Sequence, residues 1–175
     1  MRHPILSLAL VPMLFSAPAV AADAMNDLQI AHAAYTAGDI DIRYAHLALA
    51  LSDNADVRDF ANTMVRDHAA VNDAAIALVT ELKVTPEDNA LSQALVKGAA
   101  DKRAELMSLE GEAFDCAYAT NELAYHQVVN KTIAENFLPA VTVAPLKDLL
   151  EDALATFTQH EGHAEHMVAQ LGCAS

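Results

Sequence analysis

From Ile30 onward the apolar residues recur in alternating steps of three and four. Ile30, Ala33, Ala37, Ile40, Tyr44, Leu47 and Leu51 make the first stripe, one face of an amphipathic helix. Ser52-Asp53-Asn54 interrupts it and supplies cap residues for a second helix. That stripe runs Val57, Ala61, Met64, His68, Val71, Ala75, Leu78 and Leu82 before Thr85-Pro86 ends it. A third long helix is expected over residues 112–137, with Tyr118, Tyr125, Val129, Ile133 and Phe137 inward and Pro139 as its stop. Pro145 opens the fourth, which has the most regular stripe: Leu146, Leu150, Ala153, Phe157, His160, Ala164, Met167 and Leu171, closed by Gly172.

Short turns join the first two helices and the last two, so each pair is expected to form an antiparallel hairpin. The middle connection, residues 85–111, is too long for a tight turn. It shows helical patches from Leu91 to Val96 and from Leu106 to Leu109, interrupted by Gly98 and Gly111. The pattern predicts an all-α fold, a ferritin-like four-helix bundle of two antiparallel hairpins with a long, partly helical crossover. No repeat, low-complexity tract or second linker divides residues 22–175, which by size make one domain.

The N-terminus follows a different rule. Met1-Arg2-His3-Pro4 precedes an apolar stretch from Ile5 to Phe15, and Ala19-Val20-Ala21 has the small-x-small form of a cleavage site. Residues 1–21 are expected to be a signal peptide, because about eleven apolar residues fall short of the roughly 20 of a membrane-spanning helix. No cysteine follows the cleavage site to carry a lipid, and no later stretch is apolar enough to span a bilayer. The expected product is a soluble periplasmic protein.

Export changes the reading of the two cysteines. In an oxidising compartment Cys116 and Cys173 are expected to pair. Folding the second hairpin about residues 141–142 sets Cys116 opposite Met167, leaving the tail after Gly172 about six residues, or about 9 Å, to recover. Charge narrows the partners: 10 Lys and Arg against 24 Asp and Glu give −14, and cleavage removes only Arg2 among the charged side chains, leaving −15. Such a surface repels nucleic-acid phosphates and anionic membranes.

The candidate chemistry lies where the stripes turn polar. His68 and His160 occupy inward positions of apolar seams, and Glu122 and His126 sit one turn apart beside Tyr118 and Tyr125. Asp41 adjoins Ala37 and Tyr44, and Asp67 precedes His68. Folding the first hairpin about residues 53–54 levels His68 with Asp39 and Asp67 with Ile40, leaving Asp41 within about one turn of both. Folding the second levels Glu122 with Glu161, next to His160. Inward imidazoles and carboxylates on facing helices are donors for a transition metal, with copper, iron and zinc all compatible. Met64 and Met167 in the same seams would favour copper. The expected centre is His68, Glu122, His126 and His160, with Asp41 and Asp67 at its margin. Three-residue steps turn helix side chains by about 60°, so His163 can share an ion with His160 while His166 points away. The competing reading is a metal-free buried hydrogen-bond network of the same residues.

Several motifs share their order and spacing with an exported bacterial family, domain of unknown function 4142. They are Met64-Val65-Arg66-Asp67-His68 followed by Asn72, Phe114-Asp115-x-x-Tyr118, Glu122-x-x-Tyr125-His126-Gln127, Leu146-Lys147 and Phe157-x-x-His160. The chain resembles that family over about residues 28–171. The resemblance implies a ferritin-like fold and no settled activity. The family is often labelled an outer membrane protein, yet nothing in this chain reads as a barrel strand. Di-iron ferritin-like proteins carry Glu-x-x-His on two helices, which this chain lacks. Glu122 and His126 are four apart, and Asp41 stands where a Glu would be expected.

No Gly-rich phosphate loop, nucleophile elbow or complete catalytic motif is present. The expected function is a periplasmic bundle that binds a transition metal for metal handling or protection against envelope stress. The alternative is a metal-free structural or interaction module that meets protein partners in the cell envelope.

Overall fold

Asparagines start the first three helices of the computed structural model, which describes residues 25–173; the expected signal peptide, residues 1–21, lies outside the described residues. Helix α1 (Asp27–Leu51) opens on a capping box in which Asn26 and Gln29 each accept the other's backbone N–H. Helix α2 (Ala55–Leu82) starts at Asn54, whose side chain accepts from Asp56 and Val57. Asn89 caps α3 (Ala90–Leu106) through the Ser92 N–H. Helix α4 (Gly111–Thr132) runs on through a π-helical turn, Ile133–Phe137, into one last α turn, α5 (Leu138–Ala140). Helix α6 (Ala144–Leu171) carries Pro145 in its first turn and ends on Gly172 in the left-handed region. All regular elements of the described residues are helical, and none of these helices is long and apolar enough to cross a membrane.

The long helices fall where the hydrophobic pattern puts them, but the crossover does not. Instead of two patches broken at Gly98, α3 is continuous. One interior glycine costs a helix only about 1 kcal/mol, and a Cβ on Gly98 would face open space. Packing of the opposite face, through Ser92, Ala99 and Leu106, holds α3 against α1 and α4. The expected stripes also overrun their partners, leaving Leu51 and Leu82 exposed at the helix ends.

Helices α1 and α2 pair, as do α4 and α6, and the two pairs meet through α1 with α4 and α2 with α6. Their interior divides into two apolar clusters. One holds Tyr44, Phe60, Met64, Phe114, Tyr118 and Met167; the other holds Ile30, Ile133, Phe137, Leu146, Leu150 and Phe157. Every long helix passes from one cluster to the other, and each carries a polar side chain near its crossing: Asp41, His68, the pair Glu122 and His126, and His160. A polar layer therefore separates two apolar halves.

The first hairpin has the expected register. The Arg58 guanidinium donates to the Leu49 and Ser52 carbonyls, closing the C-terminus of α1, and the Ser52 hydroxyl donates to the buried carboxylate of Asp115, tying this turn to α4. Gly38 lets the helices approach: a Cβ there would lie 2.5 Å from Asn72 Oδ1 and 3.1 Å from its Cγ. Because Asn72 is buried, its amide has little room to yield. Gly38→Ala is therefore expected to destabilise the protein by about 1–2 kcal/mol in urea titration, although alanine is the better helix former by about 1 kcal/mol. A stabilised variant would show that Asn72 turns aside without cost.

The second hairpin is shifted. Asn130 donates to the Phe157 carbonyl and to Glu161, and Cys116 and Cys173 lie at disulfide distance, with Cα atoms 5.3 Å apart. Both pairings fold this hairpin about residue 144, not 141–142. Two features close the expected six-residue gap. Val141 and Val143 are extended, so the connection is a spacer and not a tight turn, and Gly172 turns the tail back until the Cys173 N–H reaches the Val168 carbonyl.

Candidate metal centre

The register shift decides which donors meet. Two overlapping groups each have donor atoms within 4.8 Å of one another: His68, His126 and His160, and Asp41, Glu122 and His126. Glu122 lies a turn nearer the disulfide than the simple fold-back implies, so it faces Asp41 and not His160. Asp41, expected at the margin, is central and wholly buried. Its Oδ2 is 3.6 Å from His68 Nε2 and 3.6 Å from His126 Nε2. Four donors held tetrahedrally at about 2.0–2.1 Å from one ion would be about 3.4 Å apart, so these spacings fit an ion with little movement.

Hydrogen bonds outside the group fix two of the imidazoles. His126 Nδ1–H donates to the Glu122 carbonyl at 2.9 Å, which leaves a lone pair on Nε2 toward Asp41. His160 Nε2–H donates to Asp67 at 3.0 Å, which leaves its Nδ1 lone pair free. Asp67 is itself gripped by Arg66 through Nε at 2.7 Å and Nη2 at 3.1 Å. Asp67, expected at the margin of the centre, lies there with its oxygens bonded to Arg66 and His160, where it braces the His160 ring. His68 stacks on Phe157 with ring centroids 4.3 Å apart.

The interior faces of these side chains make no hydrogen bonds. Among the described residues, both oxygens of Asp41 and of Glu122, both nitrogens of His68, Nε2 of His126 and Nδ1 of His160 are buried without a partner. Native interiors leave only a few such atoms per 100 residues; here eight are gathered in one layer. The Tyr118 hydroxyl is also buried and unpartnered. Tyr118 belongs by periodicity to an apolar stripe, yet its four-residue step to Glu122 puts both on one face of α4.

Burial sets the charge of the layer. It holds all three histidines below the ordinary imidazole range, His126 at about 4, with neighbouring imidazoles adding to the effect. Burial likewise pushes Asp41 up to about 8. Glu122 is raised well above the carboxylate range by burial and then by the Asp41 charge. Tyr118 is raised by burial and by both carboxylate charges. Asp67 is held low by its bond from Arg66.

These shifts predict a pH profile for metal-free protein. Unfolded histidines titrate near 6.5, so the stability they contribute is complete above that pH and is lost as the pH falls toward the folded value of about 4 at His126. The carboxyls act oppositely. Unfolded Asp loses its proton near 3.9, whereas buried Asp41 keeps it to about 8, so folding is penalised progressively as the pH rises between those values. Above pH 6.5 only the carboxyls contribute. Metal-free protein is expected to lose about 2 kcal/mol on Asp41's account between pH 6.5 and 8, read as a falling urea midpoint. A flat midpoint would mean that the pair ionises in place without cost.

The sequence model of the family described as Domain of unknown function (DUF4142) matches residues 14–167. The chain belongs to this family. Comparison with curated proteins and with solved structures found no match. The DUF4142 motifs now have places in the fold. In the Met64 to Asn72 segment, Met64 is core, Arg66 and Asp67 brace His160, His68 enters the polar layer and Asn72 packs on Gly38. Phe114 is core, and Asp115 receives Ser52.

The remaining sequence candidates separate cleanly. His68, Glu122, His126 and His160 are all in the layer. His163 is not: it is exposed, outside both donor groups, with its ring against Phe60 at 5.0 Å. The three-residue step turns it out of the seam that buries His160. Tyr125 and Val129 are only half-buried, because the inward line of α4 runs through Tyr118, Glu122, His126 and Asn130.

Proposed function

We propose that this DUF4142 protein is exported to the periplasm as a ferritin-like four-helix bundle and holds a transition metal in its polar layer, for metal handling or protection against envelope stress. The observation that carries the reading is the gathering of eight unpartnered donor atoms from four helices. Asp41, His68, His126 and His160 would be the ligands, with Glu122 as a further carboxylate. Imidazole and carboxylate donors suit zinc, iron and copper. A divalent ion would supply Lewis acidity there, and iron or copper would also supply one-electron chemistry. The protein's own part is positional: the Glu122 carbonyl and Asp67 orient two imidazoles, and the flanking apolar clusters keep bulk water away. Two carboxylates and three histidines are not the Glu-x-x-His set of di-iron proteins, so the reading is metal binding and not ferroxidase activity.

Elemental analysis of protein purified from the periplasm without a histidine tag tests this. About one equivalent of zinc, iron or copper per chain is expected. A folded protein that carries no metal and takes up none from added zinc, iron(II) or copper(II) would favour the metal-free envelope module instead.

A further inference from the structure

The polar layer is also one end of a cavity of about 90 Å³ that runs into the apolar half containing Ile133, Leu146 and Leu150. Its outer rim includes Tyr35 and Val128, which are 38% and 61% exposed. Its inner end is formed by Asp41, His68 and His126, which carry unpartnered polar atoms. Close-packed interiors rarely keep voids larger than a water molecule. This one persists because α1 turns Ala33, Ala37 and Gly38 toward it, and α6 turns Ala153.

We propose that the cavity binds a small, uncharged, apolar molecule, of the size of a dissolved diatomic gas or a short hydrocarbon, and presents it to the Asp41, His68 and His126 face. Size sets the upper limit: in the same kind of measure one water needs about 10–15 Å³, and a void of about 150 Å³ takes benzene. Lining sets the chemistry. Apart from Asp41 and the two histidines at the inner end, no ionisable group among the described residues but the Tyr35 and Tyr125 phenols lines it, so an ion would lose its hydration with no counter-charge along the way. His160, Asp67 and Glu122 are not among its walls; the molecule reaches the centre from one side only. The inference rests on the metal reading for what the molecule would meet, but its binding does not require the ion.

Xenon is the probe. In methyl and histidine-ring NMR spectra of the metal-free full chain under xenon pressure, saturable shifts are expected at Ile133, Leu146, Leu150 and Ala153. They are also expected at the His68 and His126 rings, with the Met64 and Met167 methyls of the other cluster unmoved. Ala153→Leu should weaken xenon binding by at least about tenfold by filling the void, while zinc uptake stays that of the parent. Ala75→Leu, at a half-buried position on the cavity wall, repeats the test if the first variant does not fold. No saturable shift, shifts that miss both histidine rings, or a filled variant that binds xenon like the parent would overturn the proposal. Xenon binding in a protein that takes up no metal would sink the metal reading alone, and metal uptake without xenon binding would sink this one alone.

Discussion

His126→Ala is expected to lower zinc or cobalt affinity by more than about 100-fold while the protein stays helical. His126 is the donor common to both groups in the polar layer, and its Nε2 lone pair is held toward Asp41 by the bond from Nδ1–H to the Glu122 carbonyl. Structural zinc sites contribute about 10–16 kcal/mol through four ligands, or about 3 kcal/mol each, which is roughly 100-fold in affinity. Asp67→Asn acts only through His160 and should cost about tenfold. Competition against a chromophoric chelator, with circular dichroism as the folding control, measures both. Equal affinity in a folded His126→Ala protein would place any bound ion outside this layer.

Opening the link between Cys116 and Cys173 is expected to cost about 4 kcal/mol. The bridge closes a loop of about 58 residues, which restricts the unfolded chain by about that amount in the loop-entropy account. Against a whole-domain stability of about 5–15 kcal/mol, this is a large fraction. The urea midpoint should fall steeply on reduction, and in Cys173→Ser, with the slope rising somewhat as the unlinked unfolded chain exposes more surface. A midpoint unmoved by reduction would mean that the Gly172 turn and the Asn130 contacts hold this end unaided.

Much of this was legible in the chain because helical periodicity is a strong local signal. The α6 stripe from Leu146 to Met167 matches the buried positions residue for residue, and His68 and His160 stand out as polar interruptions of apolar seams, with Glu122 and His126 beside a third. What escaped depended on three-dimensional detail. The height of Glu122 is set by an extended three-residue spacer, which moves the fold-back point from residues 141–142 to about 144 and the facing positions by about five residues; a tight turn would not do so. The single inward stripe that the α1 sequence shows leaves Asp41 at its margin. A second face of α1, Gly38, Asp41, Ala45 and Ala48, is also buried, and that run of small residues at helical spacing was the available signal. Gly98 does not break α3 because packing outweighs one residue's propensity.

Each hairpin carries only part of the donor set. The α1 and α2 pair supplies Asp41 and His68; the α4 and α6 pair supplies Glu122, His126 and His160. Neither set surrounds an ion until the two pairs dock. An ion that prefers the complete set therefore selects the docked chain over any half-assembled one, and its free energy of binding adds to the association of the hairpins and not to the formation of either. Metal occupancy would report on how the two halves come together, and a weakly docked chain would lose its ion before it lost its helices.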